Sequence, residues 1–158
     1  PIGSDGLRML PFGNGAERMF DNRTIGSHLC NLNFNQHGQG DMLRAALEGI
    51  AFAFVYGMEI LKNDNTPIQV IRAGNDNLFQ SKIFSETIAT LIDQEIEIYN
   101  TTGAIGAARA AGAVDDAFDL STVASENDYL ETFEPLSKKE PYQEAFSRWQ
   151  NALNTIIQ

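Results

Sequence analysis

The chain has 158 residues, 43% of them hydrophobic, which is enough for one domain with a real core and too little for two ordinary ones. Its 21 acidic against 11 basic residues leave a net charge of −10, a surface that repels phosphate backbones and anionic membranes and argues against nucleic-acid or membrane partners. The one cysteine, Cys30, has no internal disulfide partner, and no apolar run reaches the roughly 18 residues of a membrane span, so an intracellular, cytoplasmic protein is expected. The start at Pro1-Ile2-Gly3, with no initiator methionine and no signal-peptide pattern, suits a piece of a longer protein.

Residues 6–35 are rich in Gly and Asn, and the apolar runs Leu7 to Phe12 and His28 to Phe34 predict strands with no helix between them. From Asp41, an N-cap candidate, the sequence Met42, Leu43, Ala45, Ala46, Leu47, Ile50, Phe52, Phe54, Val55, Met58, Ile60, Leu61 is apolar on nearly every face, predicting a helix buried deep in the core. A polar break at 62–65 precedes a predicted strand from Pro67 to Arg72, a sharp turn at Ala73 to Asn77, and a helix from Leu78 to Ile92. Asn77 and Gln80 stand as N-cap and N3 of that helix, spaced to satisfy each other's backbone N–H groups.

Glu95 to Tyr99 alternates as a strand, and Gly103 to Ala113 predicts a helix so small-sided that another element should pack closely on it, completing a β-α-β-α order. The acidic stretch 114–140 holds a predicted turn of helix near Phe118 and a strand at Tyr129 to Phe133. Pro141 opens a last helix whose apolar positions Tyr142, Ala145, Phe146, Trp149, Leu153 and Ile156 form one core-facing stripe. There is no internal repeat or low-complexity stretch.

The strand, small-residue turn and helix at Ile71 to Phe84 are the best candidate for binding, since such a turn admits a ligand to the backbone and the helix start presents unpaired N–H groups. Gly13-Asn14-Gly15-Ala16-Glu17-Arg18 begins like a dinucleotide fingerprint but lacks its last glycine and its βαβ setting, and no GxxxxGK[ST] phosphate loop exists. His28, Cys30 and His37 lack zinc-site spacing; His28 and Cys30 share one strand face and read as packed side chains. Glu17 and Arg18 are cleft candidates whose plainer role is to pin their loop by ion pairing. Asn22-Arg23-Thr24 and Asn100-Thr101-Thr102 match glycosylation acceptors by chance, given no secretion signal. Phosphoryl transfer needs a carboxylate-held metal, a base and phosphate donors, and no cluster here supplies all three.

Ser27-His28-Leu29-Cys30-Asn31-Leu32, followed after eight residues by Asp41-Met42-Leu43-Arg44-Ala45-Ala46-Leu47-Glu48, resembles the C-terminal signature of the FGGY carbohydrate kinases, with Asn31 in the place of a usual glycine. Gly6-Leu7 to Leu10-Pro11-Phe12, Gly15-Ala16-Glu17-Arg18, Glu48-Gly49-Ile50-Ala51-Phe52, Arg72 to Asn77 and Gly103-Ala104-Ile105-Gly106-Ala107-Ala108 resemble further family stretches in the right order, and the last helix is similar to that of xylulokinase-like members. The resemblance implies an α/β, actin-like ATPase (ribonuclease H-like) domain with a mixed sheet and flanking helices. It also implies that residues 1–158 are the C-terminal nucleotide-binding domain of a two-domain enzyme.

By the same resemblance, the whole enzyme would move the γ-phosphoryl group of ATP, with Mg2+, to a pentulose, D-xylulose giving D-xylulose 5-phosphate. Ala73, Gly74, Asn75 and Asn77 would line the adenine pocket, with Phe79 and Ser81 beside it. The catalytic aspartate and most sugar contacts would lie in the absent N-terminal domain, so this chain would hold no catalytic residue and be inactive alone. Arg72 and Ala73 replace loop glycines, and Asn75-Asp76 replaces a small-then-basic pair, which puts negative charge near the path of the phosphates. Ala73 keeps a tight turn only with negative φ. Other readings are another kinase of the family, acting on ribulose, gluconate or glycerol, and a non-catalytic binding module on the same scaffold. Apolar surface left by a missing domain would favour a homodimer of the isolated chain.

Overall fold

In the computed structural model, which describes residues 1–63, 70–114 and 128–157, the elements run β1 (Arg8–Glu17), β2 (Arg23–Cys30), α1 (Gln39–Asn63), β3 (Ile71–Gly74), α2 (Lys82–Ile92), β4 (Ile96–Tyr99), α3 (Gly103–Val114), β5 (Tyr129–Phe133) and α4 (Glu140–Ile157). Short 3-10 turns occupy Ser4–Gly6, Arg18–Phe20 and Asn77–Gln80. β1 and β2 form an antiparallel hairpin, while β3, β4 and β5 form a second sheet in which β3 runs parallel and β5 antiparallel to β4. The expected mixed sheet with flanking helices and the β-α-β-α order are therefore present.

β2 is displaced from its expected place. It starts at Arg23 and stops at Cys30, because Asn31 adopts a left-handed φ of 63° and its Nδ2 donates to the Gly6 carbonyl at 3.2 Å. Among residues with a side chain, Asn is one of the few that visits this region readily, which explains how Asn31 serves where the resembled family has glycine. Gly13 to Glu17 belongs to the irregular end of β1, where the pairing shifts between Phe12 and Ala16, and is no phosphate loop.

α1 begins at Gln39 rather than at Asp41, and Gly38, not Asp41, is its cap position. Asp41 sits at the third helical residue, where its Oδ2 accepts the Gly38 N–H at 2.9 Å, the reach-back half of a capping box. Deep burial on all sides does not hold for this helix. Ala45, Glu48, Ala51, Phe52 and Val55 are buried, whereas Leu43 is 60% exposed and Ile50, Ile60 and Leu61 are also open, because the hairpin, α2 and α4 cover one side only.

On that covered side the backbones come close together. A Cβ on Gly49 would run into the Met9 carbonyl oxygen of β1, so the strand lies directly on the helix backbone. The same oxygen accepts the Trp149 Nε1–H of α4 at 2.8 Å. Trp149 is fully buried among Phe12, Phe52, Tyr56 and Phe146, with ring centroids 5.9 to 6.3 Å away. The α4 stripe is as predicted: Tyr142, Ala145, Phe146, Trp149 and Leu153 are buried and Ile156 packs at the core's edge.

One residue before Gly49, Glu48 is 2% exposed and ties down the N-terminal turn. Its two oxygens accept the Gly3 N–H at 3.0 and 3.1 Å, the Ser4 hydroxyl donates at 3.3 Å, and Arg44 Nε donates at 2.7 Å. A buried carboxylate is tolerated here because it is both paired and hydrogen-bonded.

In the second sheet, Ile96 and Ile98 of β4 are buried while Glu97 and Tyr99 take the other face, the alternation expected of a strand. β5 occupies its predicted residues. β3 comes later than expected, so that Ala73 and Gly74 are strand residues rather than turn residues; the Pro67 to Gln69 part of the predicted strand and the predicted helical turn near Phe118 lie outside the described residues. α3 forms where expected, and among the described residues nothing lies within 4 Å of a Cβ built on Gly103 or Gly106.

Replacing Glu48 with Ala leaves Arg44 and the Gly3 N–H without their acceptor inside the fold, and is expected to cost about 3 kcal/mol, as when one partner of a buried pair is removed. Denaturant unfolding followed by Trp149 fluorescence measures it; a loss within experimental error would show the N-terminal turn to be unimportant.

Candidate functional site

β3 and β4 run in parallel register, Ala73 beside Ile98 and Gly74 beside Tyr99, and the Asn75 N–H extends the ladder by donating to the Tyr99 carbonyl at 2.8 Å. Thr101 N–H donates to the same carbonyl at 2.8 Å, which folds the β4–α3 connection back against β3. A Cβ on Gly74 would collide with the Thr101 carbonyl oxygen. Glycine is therefore demanded here by backbone approach, whatever binds nearby.

The chain then leaves the sheet. Asp76 is extended, Asn77 has a left-handed φ of 51°, and a 3-10 turn from Asn77 to Gln80 follows. The expected reciprocal cap between Asn77 and Gln80 is absent. Gln80 Nε2 instead donates to the Asn75 carbonyl at 3.1 Å and the Ser81 N–H to Leu78 O at 2.9 Å, closing the 3-10 turn before α2 begins. α2 starts at Lys82, with Ser81 in the cap position and no side-chain cap bond.

This strand-to-helix turn forms one side of an open hollow of ≈ 420 Å³, within the size range of small-molecule sites. Ala73 and Gly74 contribute from β3, Asp76 and Asn77 from the turn, Leu78 and Phe79 from the 3-10 segment, Phe84 from α2 and Phe54 from α1. Phe79 stands edge-on to both Phe54 and Phe84, at 6.3 and 5.3 Å, making an aromatic wall. Of the residues expected at a nucleotide pocket, Ala73, Gly74 and Asn77 line this hollow, as does Phe79. Asn75 is exposed and spends its backbone on Tyr99 and Gln80, and Ser81 caps α2. Ala73 lies in a strand without positive φ, as its side chain requires.

Phe54, Leu78 and Phe84 were not legible as site residues. Phe54 is one apolar residue among many in α1, and nothing in its spacing marks the face that meets the turn. The other cleft candidates fall elsewhere. Glu17 ends β1 and Arg18 opens a 3-10 turn, and no ion pair joins them among the described residues; their loop is pinned by Arg23, whose Nε donates to Phe20 O at 3.3 Å and Nη1 to Ile157 O at 2.6 Å. His28 Nε2 contacts Ile25 O at 3.0 Å, and His37 is buried with Nδ1 accepting the Asn33 N–H at 3.0 Å. No group of three His, Cys, Asp or Glu side chains able to hold a metal forms among the described residues.

Arg72 does not act as a loop residue. Its guanidinium Nε donates to Glu97 Oε2 at 2.9 Å, across the register pair of β3 and β4, and the Tyr99 hydroxyl donates to the same oxygen at 2.8 Å. The hydrogen bond from Arg72, then that from Tyr99, holds the Glu97 carboxyl below the usual carboxylate range. Its bond to Glu97 in turn pushes the Tyr99 hydroxyl up.

A second open hollow, of ≈ 500 Å³, lies between the hairpin and α1, lined mainly by Met9, Leu29, Met42, Leu43 and Ala46. Its polar lining is Ser27, His28 and Gln39, with no carboxylate among them. No helix among the described residues is long and apolar enough to cross a membrane.

No family model matches the chain. It is 25% identical to the xylulose kinase of Haemophilus influenzae over 161 aligned residues, which cover 99% of this chain and 32% of that protein. Among solved structures, xylulose kinase from Rhodospirillum rubrum matches with a TM-score of 0.75 at 21% identity, over 98% of this chain and 31% of its own. The chain resembles the FGGY carbohydrate kinases along its whole length. Glycerol kinase from Plasmodium falciparum, solved with ADP, superposes with a TM-score of 0.75 at 21% identity over 97% of this chain and 31% of that one. Gluconate kinase from Lactobacillus acidophilus gives 0.74 at 23% identity, over 99% and 32%. The fold is the actin-like ATPase fold of these kinases, and the chain spans 32% of the length of the curated relative it matches.

Two outcomes are expected at this turn. Gly74→Ala drives a Cβ into the Thr101 carbonyl and is expected to lower stability by about 1–3 kcal/mol, as overpacking does; unfolding with and without nucleotide measures it, and an unchanged midpoint would show that the β4–α3 connection yields freely. The lowered Glu97 pKa makes its contribution to stability complete above about pH 4.5 and lost as pH falls below that value. Glu97→Gln should remove that part of the acid limb in a pH titration of stability, and an unaltered limb would mean the Arg72 and Tyr99 bonds are not kept in solution.

Proposed function

We propose that this chain is the nucleotide-holding, C-terminal part of an ATP-dependent sugar kinase, whose whole form transfers the γ-phosphoryl group of ATP to a pentulose, D-xylulose giving D-xylulose 5-phosphate. The observation that carries the reading is the hollow beside the β3–α2 turn, whose aromatic wall suits a purine and whose lining carries three polar side chains, Arg72, Asp76 and Asn77. Its support from outside is the similarity of 99% of this chain to 32% of a xylulose kinase and a shared fold with part of a glycerol kinase solved with ADP.

In this reading the purine enters between Phe54, Phe79 and Phe84, against the flat surface left by Ala73 and Gly74. Burying the base fixes one end of the nucleotide and directs the phosphates outward, toward the sugar. That is catalysis by orientation, which converts an encounter of two solutes into a step between held partners. The base for the attacking hydroxyl and most sugar contacts come from the remainder of the protein. Mg2+ would come with ATP and would neutralise charge developing on the phosphates; among the described residues Asp76 is the one carboxylate lining the hollow, so the ion would be held by the nucleotide. The chain alone is expected to be inactive, and a cytoplasmic setting goes with the use of ATP.

The substrate could instead be another polyol or sugar acid, because the similar folds include glycerol and gluconate kinases. The carboxylate of Asp76 in the lining favours a second reading, a module that kept the scaffold and lost the nucleotide, since a fixed negative charge opposes a triphosphate.

Both readings are decided on the whole protein. Ala73→Leu, which fills the hollow, should raise the KM for MgATP about tenfold or more, as expected when a buried apolar contact is blocked, while leaving the KM for the sugar unchanged. ADP release is measured with D-xylulose, D-ribulose, gluconate and glycerol in turn. Equal rises in both KM values would place the nucleotide elsewhere, and no ADP release with any acceptor would favour the binding module.

A further inference from the structure

Asp76 is the one feature of the hollow that the proposed chemistry leaves unused. The resembled kinases carry a basic residue in its place, so the charge is reversed, and a triphosphate-binding chain would be expected to avoid that. Its surroundings make the reversal more pointed. Asp76 is half-buried and lines the hollow, and its Oδ1 lies 3.4 Å from where a Cβ on Gly74 would stand, so the carboxylate turns toward the end of β3. The charged side chain beside it in the lining, Arg72, is already held by Glu97. Among the described residues no hydrogen bond or ion pair is formed by the Asp76 carboxylate. An ionised carboxylate is acceptor-only and offers about four lone-pair positions, so the side chain is poised for a ligand that brings hydrogen-bond donors.

The lining of the hollow decides which donors those are. Phe84 is 4% exposed and lines the hollow with the half-buried Phe79 and Phe54, whereas Asp76 is half-buried and its neighbour Asn77 is exposed. A purine sits with its faces against the aromatic rings. The carboxylate repels the phosphates. What remains for Asp76 is the sugar between them, whose 2′- and 3′-hydroxyls are neutral donors, and a carboxylate accepting from ribose hydroxyls is a recurrent solution to this problem.

We propose that Asp76 is a specificity-determining residue that accepts hydrogen bonds from the ribose hydroxyls of the bound nucleotide, making the site selective for ribonucleotides and setting the direction in which the phosphates leave. The inference rests on the proposed nucleotide site. It makes the charge reversal a means of recognition: the anionic side chain holds the hydroxyl-bearing middle of the ligand and turns the anionic end away. Asn77, with a donor and an acceptor on its amide, remains available to the edge of the base.

The test uses the whole protein and three probes, MgATP, Mg-2′-deoxy-ATP and Mg-3′-deoxy-ATP, with the dissociation constant of each measured for the natural protein, Asp76→Ala and Asp76→Asn. Charge-assisted hydrogen bonds of this kind discriminate by about ten- to a hundredfold, so ATP should bind at least tenfold more tightly than one deoxy analogue. Asp76→Ala should bring that ratio close to one by weakening ATP, with the deoxy analogue bound as well as before or better, and Asp76→Asn, which keeps one acceptor, should fall between. Equal losses for ATP and both analogues would make Asp76 a structural residue and overturn the inference, as would a natural protein that does not discriminate. MgGTP serves as the control for the base: a changed GTP to ATP ratio with an unchanged ATP to deoxy-ATP ratio would turn the carboxylate toward the purine and also overturn it. If the natural protein binds none of the nucleotides, the nucleotide site itself fails and the inference falls with it, whereas ATP binding without ribose selectivity refutes the inference alone.

Discussion

The peptide oxygen of Met9 is where the fold is joined. Three elements meet on it: β1 carries it, α1 can come down on it only because residue 49 has no Cβ, and α4 donates the Trp149 indole N–H to it. A buried carbonyl without a partner is costly, and a strand cannot approach a helix backbone this closely over any larger residue. The two requirements together set the distance between β1 and α1 and the rotation of α4. Trp149 then fills the space between them with its ring, and the aromatic cluster of Phe12, Phe52, Tyr56 and Phe146 assembles around it. Glu48, one residue before Gly49, uses the same junction to bind the N-terminal turn, so a single turn of α1 organises the first half of the chain.

The second half repeats the device at a smaller scale. Gly74 admits the Thr101 carbonyl, and the Tyr99 carbonyl accepts from both Asn75 and Thr101, so the ends of β3 and β4 are tied into one rigid edge. The Arg72, Glu97 and Tyr99 side chains brace the same two strands on their outer face. A rigid edge matters because the hollow is built on it. α1 is the element common to both halves: it carries Gly49 at the core junction and Phe54 in the wall of the hollow, which couples the position of the site to the packing of the hairpin.

The substitutions that separate this chain from the kinases it resembles acquire separate physical meanings. Asn31 meets a left-handed backbone requirement that glycine meets elsewhere. Arg72 lies in a strand, where glycine is not needed, and its charge is absorbed by Glu97. Asp76 places a carboxylate in the lining of the hollow.

Local pattern made much of the architecture legible. The α4 stripe, β4, β5 and the order of strands and helices depend on the spacing of apolar side chains and on turn residues, which are properties of neighbouring positions. The strand end and turn at Gly74 to Asn77 were legible as the place to look for binding for the same reason. What tertiary structure decided is whatever depends on a partner distant in sequence. Apolar residues all around α1 do not say which face is covered, and Leu43 stays open because no described element lies over it. The predicted cap at Asn77 and Gln80 had the right spacing, but the Asn75 carbonyl, held in place by β4, competed for the Gln80 amide and won. The role of Gly74 depends on Thr101, and the wall of the hollow depends on Phe54 arriving from another helix. Spacing along the chain determines which elements form; which atoms meet between them is settled only when the elements pack.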